Sequence, residues 1–298
     1  MVKTANVTKA DKFIQHTIGR NGLGCIVGEK GTGKTFVKRK IIGKYQEKSS
    51  FKVVEITPID DNVKNITQIM AAMIDDISGE PIRRDSESRR RQLRRVLGDS
   101  SQNYTIILAI DEAQDLHKST IRGIKKLHEL GWGTHDKLFT VLFFGQPSFE
   151  TKINDDELGP RIRKIKMQPL TKAEKGLFVP DKTVFTSKAY EQFIRRVKPT
   201  PLCIEQDYEQ LLSLAQDLDL DQIDEQMLSD YYSIDIRQHL RSFGMSTRQM
   251  QKDIEETTGE RVSVTALSQY KNGKYAGDNN KMDVLMQRYI HQKVCASV

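Results

Sequence analysis

Apolar residues along the chain fall into two patterns. The first is a set of short segments: Leu23–Val27, Tyr104–Ile110 and Leu138–Phe144 are almost continuously apolar, and Phe51–Ile56 and Ile162–Met167 mix apolar with charged residues. Runs of this length between turn residues predict buried strands. The second pattern has apolar residues at three- and four-residue steps. It covers Phe36–Tyr45, then Val63, Ile66, Ile69, Met70, Met73, Ile74 and Ile77, then Ser119–Leu130 with Ile121, Ile124, Leu127 and Leu130 on one face. These predict amphipathic helices. Strands alternating with helices imply an α/β fold, a parallel sheet covered on both faces. Beyond Leu170 the pattern is helical. Thr186–Val197 and Glu205–Leu218 read as a small lid, and short helices follow from Ser233. The expected domains are an α/β core over 1–175, a helical lid over 176–230 and a C-terminal all-α module over 231–298.

Composition narrows the class. The 298 residues are 37% hydrophobic and 29% charged, with no apolar run near the roughly 20 residues of a membrane span. Met1–Lys12 has no signal-peptide core, so a cytoplasmic protein is expected. Cys25, Cys203 and Cys295 are isolated and read as free thiols; the histidines show no metal-ligand spacing. Net charge is +7, yet Pro201–Ile236 holds ten acids and no Lys or Arg, leaving +17 for the rest. A basic body with one acidic segment points to a polyanionic partner, or to a basic surface kept for solubility.

The strongest chemical signal is Gly28-Glu29-Lys30-Gly31-Thr32-Gly33-Lys34-Thr35, leaving a predicted strand and entering a predicted helix. Loop N–H groups and the helix N-terminus hold phosphates in such a P-loop, Lys34 reaches the β- and γ-phosphates, and the Thr35 hydroxyl ligates Mg²⁺. ATP with Mg²⁺ is the expected ligand pair. The second half is Asp111-Glu112, at the C-terminal end of the strongest strand. Asp111 can hold a Mg²⁺-bound water and Glu112 can polarise the attacking water; the rival reading is a helix N-cap. Gln146 stands at the next strand's tip, where an amide can touch the γ-phosphate. Arg161 and Arg163 precede the last strand, placed either to reach a neighbouring subunit's nucleotide or simply to be solvated.

Together these motifs, with the run Asp111-Glu-Ala-Gln114, resemble the AAA+ ATPases of DNA transposition over residues 15–200. The block Lys274-Tyr275-x-Gly277-Asp278-Asn279 before a Met-rich helix narrows the resemblance to the group of phage Mu transposition protein B and TnsC. In that group the block is N-terminal. The lid also lacks the arginine of a Gly-x-Pro-Arg stretch, reading Lys198-Pro-Thr-Pro-Leu202. The resemblance implies an AAA+ P-loop core, a homo-oligomeric filament or ring on double-stranded DNA, and a DDE-type transposase as partner. A helicase loader or replication initiator is the alternative.

Two segments are candidates for DNA. Ser246 to Thr257 reads as a capped helix, Thr257-Thr-Gly259 as a turn, and Val264–Lys271 as a second helix, with a final one from Met282 to Gln292. This helix-turn-helix layout offers Thr265, Ser268, Gln269, Lys271 and Lys274 to a groove, or contacts protein instead. Arg83, Arg84, Arg89, Arg90, Arg91, Arg94 and Arg95 crowd a polar stretch, and Arg90, Arg91, Arg94 and Arg95 are expected to meet no acid at helical spacing. Such a cluster favours phosphate. Lys125 and Lys126 are weaker candidates on the exposed side of their helix.

Overall fold

A computed structural model of the protein describes residues 4–58, 65–233, 236–278 and, within 281–290, all but 284 and 287. Val63, Asn279, Gln292 and Cys295 lie outside the described residues. The chain divides into two compact units, one of Met1–Lys182 with Val197–Gln210, the other of Thr183–Arg196 with Leu211–Val298.

The first unit opens with α1 (Ala5–Ile18), β1 (Leu23–Val27), α2 (Lys34–Gln46) and β2 (Phe51–Ile56). It continues with α3 (Ile66–Ser78), α4 (Ser86–Ser101), β3 (Thr105–Ile110), α5 (Lys118–His128) and β4 (Thr140–Gly145). It then runs through α6 (Pro147–Ile153), β5 (Ile162–Lys166), α7 (Lys172–Lys175) and the start of α9 (Pro201–Asp217). The five strands are parallel, in the order β2-β3-β4-β1-β5. Strand periodicity sorts the core into two layers. Leu23, Cys25, Val27, Ile106, Leu108 and Ile110 join α3, α4, α5 and α6 on one face. Ile26, Ile107 and Ala109 join Val7, Ala10 and Ile14 of α1 and Val37, Ile41 and Ile42 of α2 on the other.

The Arg83–Arg95 stretch is more than a polar connection, because most of it is helical. Asp85 caps α4 by accepting from the Ser88 N–H at 2.8 Å, and Leu93, Val96 and Leu97 are buried at three- and four-residue spacing. Three apolar residues suffice to fix a helix whose other faces are charged. Leu93→Ala would cost about 2–5 kcal/mol by the cavity it leaves. The helices α1 and α6 were not anticipated by periodicity, and α9 starts at Pro201, four residues before the expected Glu205.

In the second unit α8 (Ser187–Arg196) packs on α10 (Glu225–Ser233), and the Phe185 and Phe193 rings stack at 5.1 Å. Next come α11 (Ile236–Ser242), α12 (Thr247–Thr258) and α13 (Val264–Lys271). Leu240, Met250, Ile254, Leu267 and Tyr270 share a cluster with Met282, Met286 and Tyr289. Ser246 and Gln249 form a capping box on α12, Gly259 ends it at φ 73°, and Ser263 caps α13 by accepting from Ala266 N–H.

Candidate functional site

The loop from β1 to α2 owes its shape to glycine at two points. Gly33 caps α2 at φ 90°, a left-handed conformation that side chains disfavour. At Gly28 a Cβ would stand 2.7 Å from Thr32 Oγ1 and 3.0 Å from Met167 Cβ, so any side chain would push the loop off β5's end. Within this turn Lys34 is 6% exposed, and its Nζ donates to the carbonyls of Gly28 at 2.8 Å and Glu29 at 3.0 Å. An ammonium carries three protons, so one remains for a ligand. Burial pulls the Lys34 pKa below the usual lysine value, opposed by Glu112, Asp111 and Glu29.

A cavity of about 760 Å³ lies over the loop. Lys30, Gly31, Thr32, Gly33, Lys34, Thr35, Glu112 and Gln146 line it, so three separate motifs meet there. Gly28 and Glu29 of the loop, and Asp111 beside it, do not line the cavity. The lining also includes the apolar residues Val7, Met167, Leu170, Phe178, Pro201 and Leu202, the last packed against Gly31 of the loop. The volume is of the size that small-molecule sites occupy.

Asp111 is 4% exposed at the end of β3 and accepts from Glu112 N–H at 3.0 Å. Its other oxygen lies 3.3 Å from Lys38 Nζ, which also pairs with Glu55 at 3.0 Å. Lys38 is absent from the residues read as functional. The available signal is its place one turn beyond Lys34 on α2, which puts both ammonium groups on one face. Thr35 and Asp111 supply a hydroxyl and a carboxylate, hard oxygen donors of the kind Mg²⁺ prefers alongside phosphate and water. Among the described residues no group of three or more His, Cys, Asp or Glu is arranged to hold a metal. Glu112 has φ 45° and ψ 43°, and its carboxylate accepts from Gln114 Nε2 at 2.6 Å. This backbone does not resemble an ordinary helix N-cap, and Glu112 makes no side-chain cap bond.

Arg161 and Arg163 lie elsewhere. Parallel pairing sets Leu23 beside Ile162 and Gly24 beside Arg163, at the start of β1, whereas the P-loop follows its end. That separates them from the P-loop by roughly a strand length, about 13–17 Å. Both line a second cavity of about 520 Å³ with His16, Arg20, His128 and Lys137. Arg161 pairs with Glu129 at 3.8 Å, and Arg163 donates to His16 Nδ1 at 3.2 Å.

The arginine cluster needs correction. Glu87 lies 3.1 Å from Arg91 and 3.9 Å from Arg90, and Arg95 pairs with Glu80 and with Asp99 at 3.5 Å. Acids at helical spacing therefore do meet three of the four arginines expected to lack them. Arg89 folds back onto the Arg83 and Arg84 carbonyls, and Arg94 reaches the Gly131 carbonyl at 3.3 Å. Arg83 and Arg84 are exposed, and Arg83 lies close enough to Glu80 to help Arg95 and Gln92 hold that carboxyl below its ordinary value. Lys125 is also corrected: its side chain is 14% exposed and pairs with Glu129 and Glu157, because it lies toward the β5-side loop. Lys126 is exposed. Thr265, Gln269 and Lys274 are exposed, and Ser268 and Lys271 half-buried, on and just after α13. Of the thiols, Cys25 is buried, which pushes its pKa up, and Cys203 is free. No described helix is long and apolar enough to cross a membrane.

Residues 16–153 match the AAA domain family model. No curated protein sequence matches the chain. Among solved structures, the ORC2 protein of Aeropyrum pernix superposes with a TM-score of 0.55 at 13% identity, covering 94% of this chain and 85% of that one. The ORC1 protein of Aeropyrum pernix in complex with DNA gives 0.52 at 13%, covering 94% and 82%. A point mutant of RuvB from Thermotoga maritima gives 0.52 at 15%, covering 98% and 89%. None of these matches is specific to transposition. Residues 16–153 are thus an AAA-type P-loop domain, and the five-stranded parallel sheet has the α/β AAA+ fold.

Proposed function

We propose that this protein is a DNA-binding ATPase whose nucleotide state governs its grip on duplex DNA. The observation that carries this reading is the convergence of Lys34, Thr35, Glu112 and Gln146 on one cavity. The Lys34 ammonium and loop N–H groups take the phosphates, and the apolar lining residues from Val7 to Leu202 take the base. Glu112 orients and polarises the attacking water, and Gln146 contacts the γ-phosphate. Thr35 and Asp111 would hold Mg²⁺, directly or through water, and the ion would supply charge neutralisation to the phosphates. Arg161 and Arg163 act on the nucleotide of a neighbouring copy, so turnover is slow without assembly. This oligomer is a filament or ring.

DNA binding is supported by the basic balance outside Pro201–Ile236, by the exposed Arg83 and Arg84, and by α12 and α13, read as a helix-turn-helix. A protein of the same fold, ORC1, is bound to DNA in its structure. The finer reading, supported by Asp111-Glu-Ala-Gln114 and the Lys274–Asp278 block, is delivery of target DNA to a DDE-type transposase that triggers hydrolysis and release. The likeness to origin-recognition proteins supports a second reading, a replication initiator or helicase loader.

One experiment tests both. Binding to random duplex DNA is measured with ATP, ADP and no nucleotide at several salt concentrations, alongside electron microscopy. ATP-dependent filaments on any duplex support the first reading. Binding to one sequence in either nucleotide state refutes it.

A further inference from the structure

Glu112 sits in the left-handed region without being glycine, so its surroundings must hold it there. Its carbonyl accepts from Asp115 N–H at 2.9 Å, closing the short turn Ala113–Asp115. Gln114, within that turn, donates from Nε2 to Glu112 Oε2 at 2.6 Å and accepts at Oε1 from Gln146 N–H at 3.0 Å. The direction of this amide is fixed by chemistry: a backbone N–H can only donate and a carboxylate can only accept. Lys152 of α6 secures the turn by donating to the carbonyls of Gln114 and Leu116. Gly145, just before Gln146, has only 3.4 Å between an added Cβ and Gln114 Oε1.

We infer that Gln114 is a positioning residue for hydrolysis, clamping the Glu112 carboxylate to the tip of β4 so that Glu112 and Gln146 move as one unit. This rests on the proposed role of Glu112 as the group that orients water. Gln114 occupies Oε2 of a residue that itself lines the cavity. A displacement of Gln146 by the γ-phosphate is thereby transmitted to the carboxylate through two hydrogen bonds. Gln114 touches no substrate itself and acts only through its two partners.

The test compares Gln114→Met, of similar length with neither donor nor acceptor, with Gln114→Glu. The second keeps an acceptor for Gln146 N–H but sets a like charge against Glu112. ATP turnover and the Kd for a non-hydrolysable ATP analogue are measured on the full chain with duplex DNA. Turnover should fall on the order of 10- to 100-fold in both variants, as expected for a misplaced reacting group. The fall should be larger for Gln114→Glu, with the analogue Kd within about twofold of the parent. In a Glu112→Gln background, adding Gln114→Met should change residual turnover by less than about twofold, because the residue acts through Glu112. Unchanged turnover, an analogue affinity lost in step with turnover, or a full effect in the Glu112→Gln background would each overturn the inference. If the parent itself does not hydrolyse ATP, the reading of Glu112 fails and this inference falls with it. That outcome is distinct from a parent that turns over and ignores Gln114.

Discussion

The two ends of the sheet carry opposite equipment. At the carboxyl end, Lys34, Thr35, Glu112 and Gln146 surround a cavity whose lining is partly apolar. At the amino end, Arg161 and Arg163 share a cavity with His16, Arg20 and Lys137, with no hydroxyl–carboxylate pair from the P-loop and β3. The register of β1 on β5 keeps these ends apart within one chain. On the proposed reading, Arg161 and Arg163 of one copy would add to the Lys34 ammonium at the phosphates of a neighbouring copy.

The largest effect should come from the carboxyl end. Lys34→Ala removes the buried ammonium and should abolish nucleotide binding and, with it, nucleotide-dependent DNA binding. Retained ATP-dependent binding in a filter assay would break the link between the ends. Glu112→Gln should instead keep binding and lower turnover by roughly 10²–10⁴-fold, the range for loss of a positioned acid–base group. The DNA-bound assembly would then persist instead of dissolving.

The comparison is sharpened by mixing. Arg161→Ala with Arg163→Ala should bind nucleotide yet turn over on the order of 10³-fold more slowly, as for loss of an arginine supplied in trans. Mixed with Lys34→Ala chains, each mutant offers the half that the other lacks, and turnover should partly return. Two silent variants that remain silent together would place the arginines outside any shared site.

A smaller effect separates Arg83 and Arg84, which precede α4, from Arg95 within it. Arg83→Ala and Arg84→Ala should each reduce the slope of log K against log salt by about 1, the mark of a lost phosphate contact. Arg95→Ala should leave the slope nearly unchanged, because Glu80 and Asp99 already neutralise it. Equal slopes for all three would mean that the internal pairs open on DNA.

The contrast between the P-loop and α4 also explains what the sequence made legible. Gly28 to Thr35 encodes geometry, because residue spacing sets backbone shape and strand order carries Glu112 and Gln146 to it. Three of the strands were readable as almost continuous apolar runs, and β2 and β5 as shorter segments that also carry charged residues. The arginine run encodes only composition. Its neutralisation comes from Glu87 and Asp99 once the stretch is helical, and from Glu80, outside the run, which returns through the α3–α4 turn. Lys38 was hidden because its partners Asp111 and Glu55 lie on different strands, joined only by the β2–β3 pairing. The apolar part of the cavity lining was equally hidden, since Val7, Met167 and Leu202 are distant in sequence and belong to no spacing.

The smallest effect tests the amino end by pH. His128 is 4% exposed, and its Nε2 lies 2.7 Å from the Asn21 carbonyl, to which a neutral ring donates. Burial lowers its pKa below 6.5, with Lys137 lowering it further and the Asn21 carbonyl and Glu129 opposing. The unfolded chain therefore takes up this proton first as pH falls. Stability from His128 is complete above pH 6.5 and is lost on acidification from there down to the folded pKa. A parent Tm that drops between pH 7.5 and 5.5 should drop less in His128→Gln, by a few degrees, about the effect of 1 kcal/mol in a domain this size. Carboxyl-end nucleotide affinity, measured over the same range, should be the same in parent and variant. A parallel loss there would show that the two ends of the sheet are coupled through its strands.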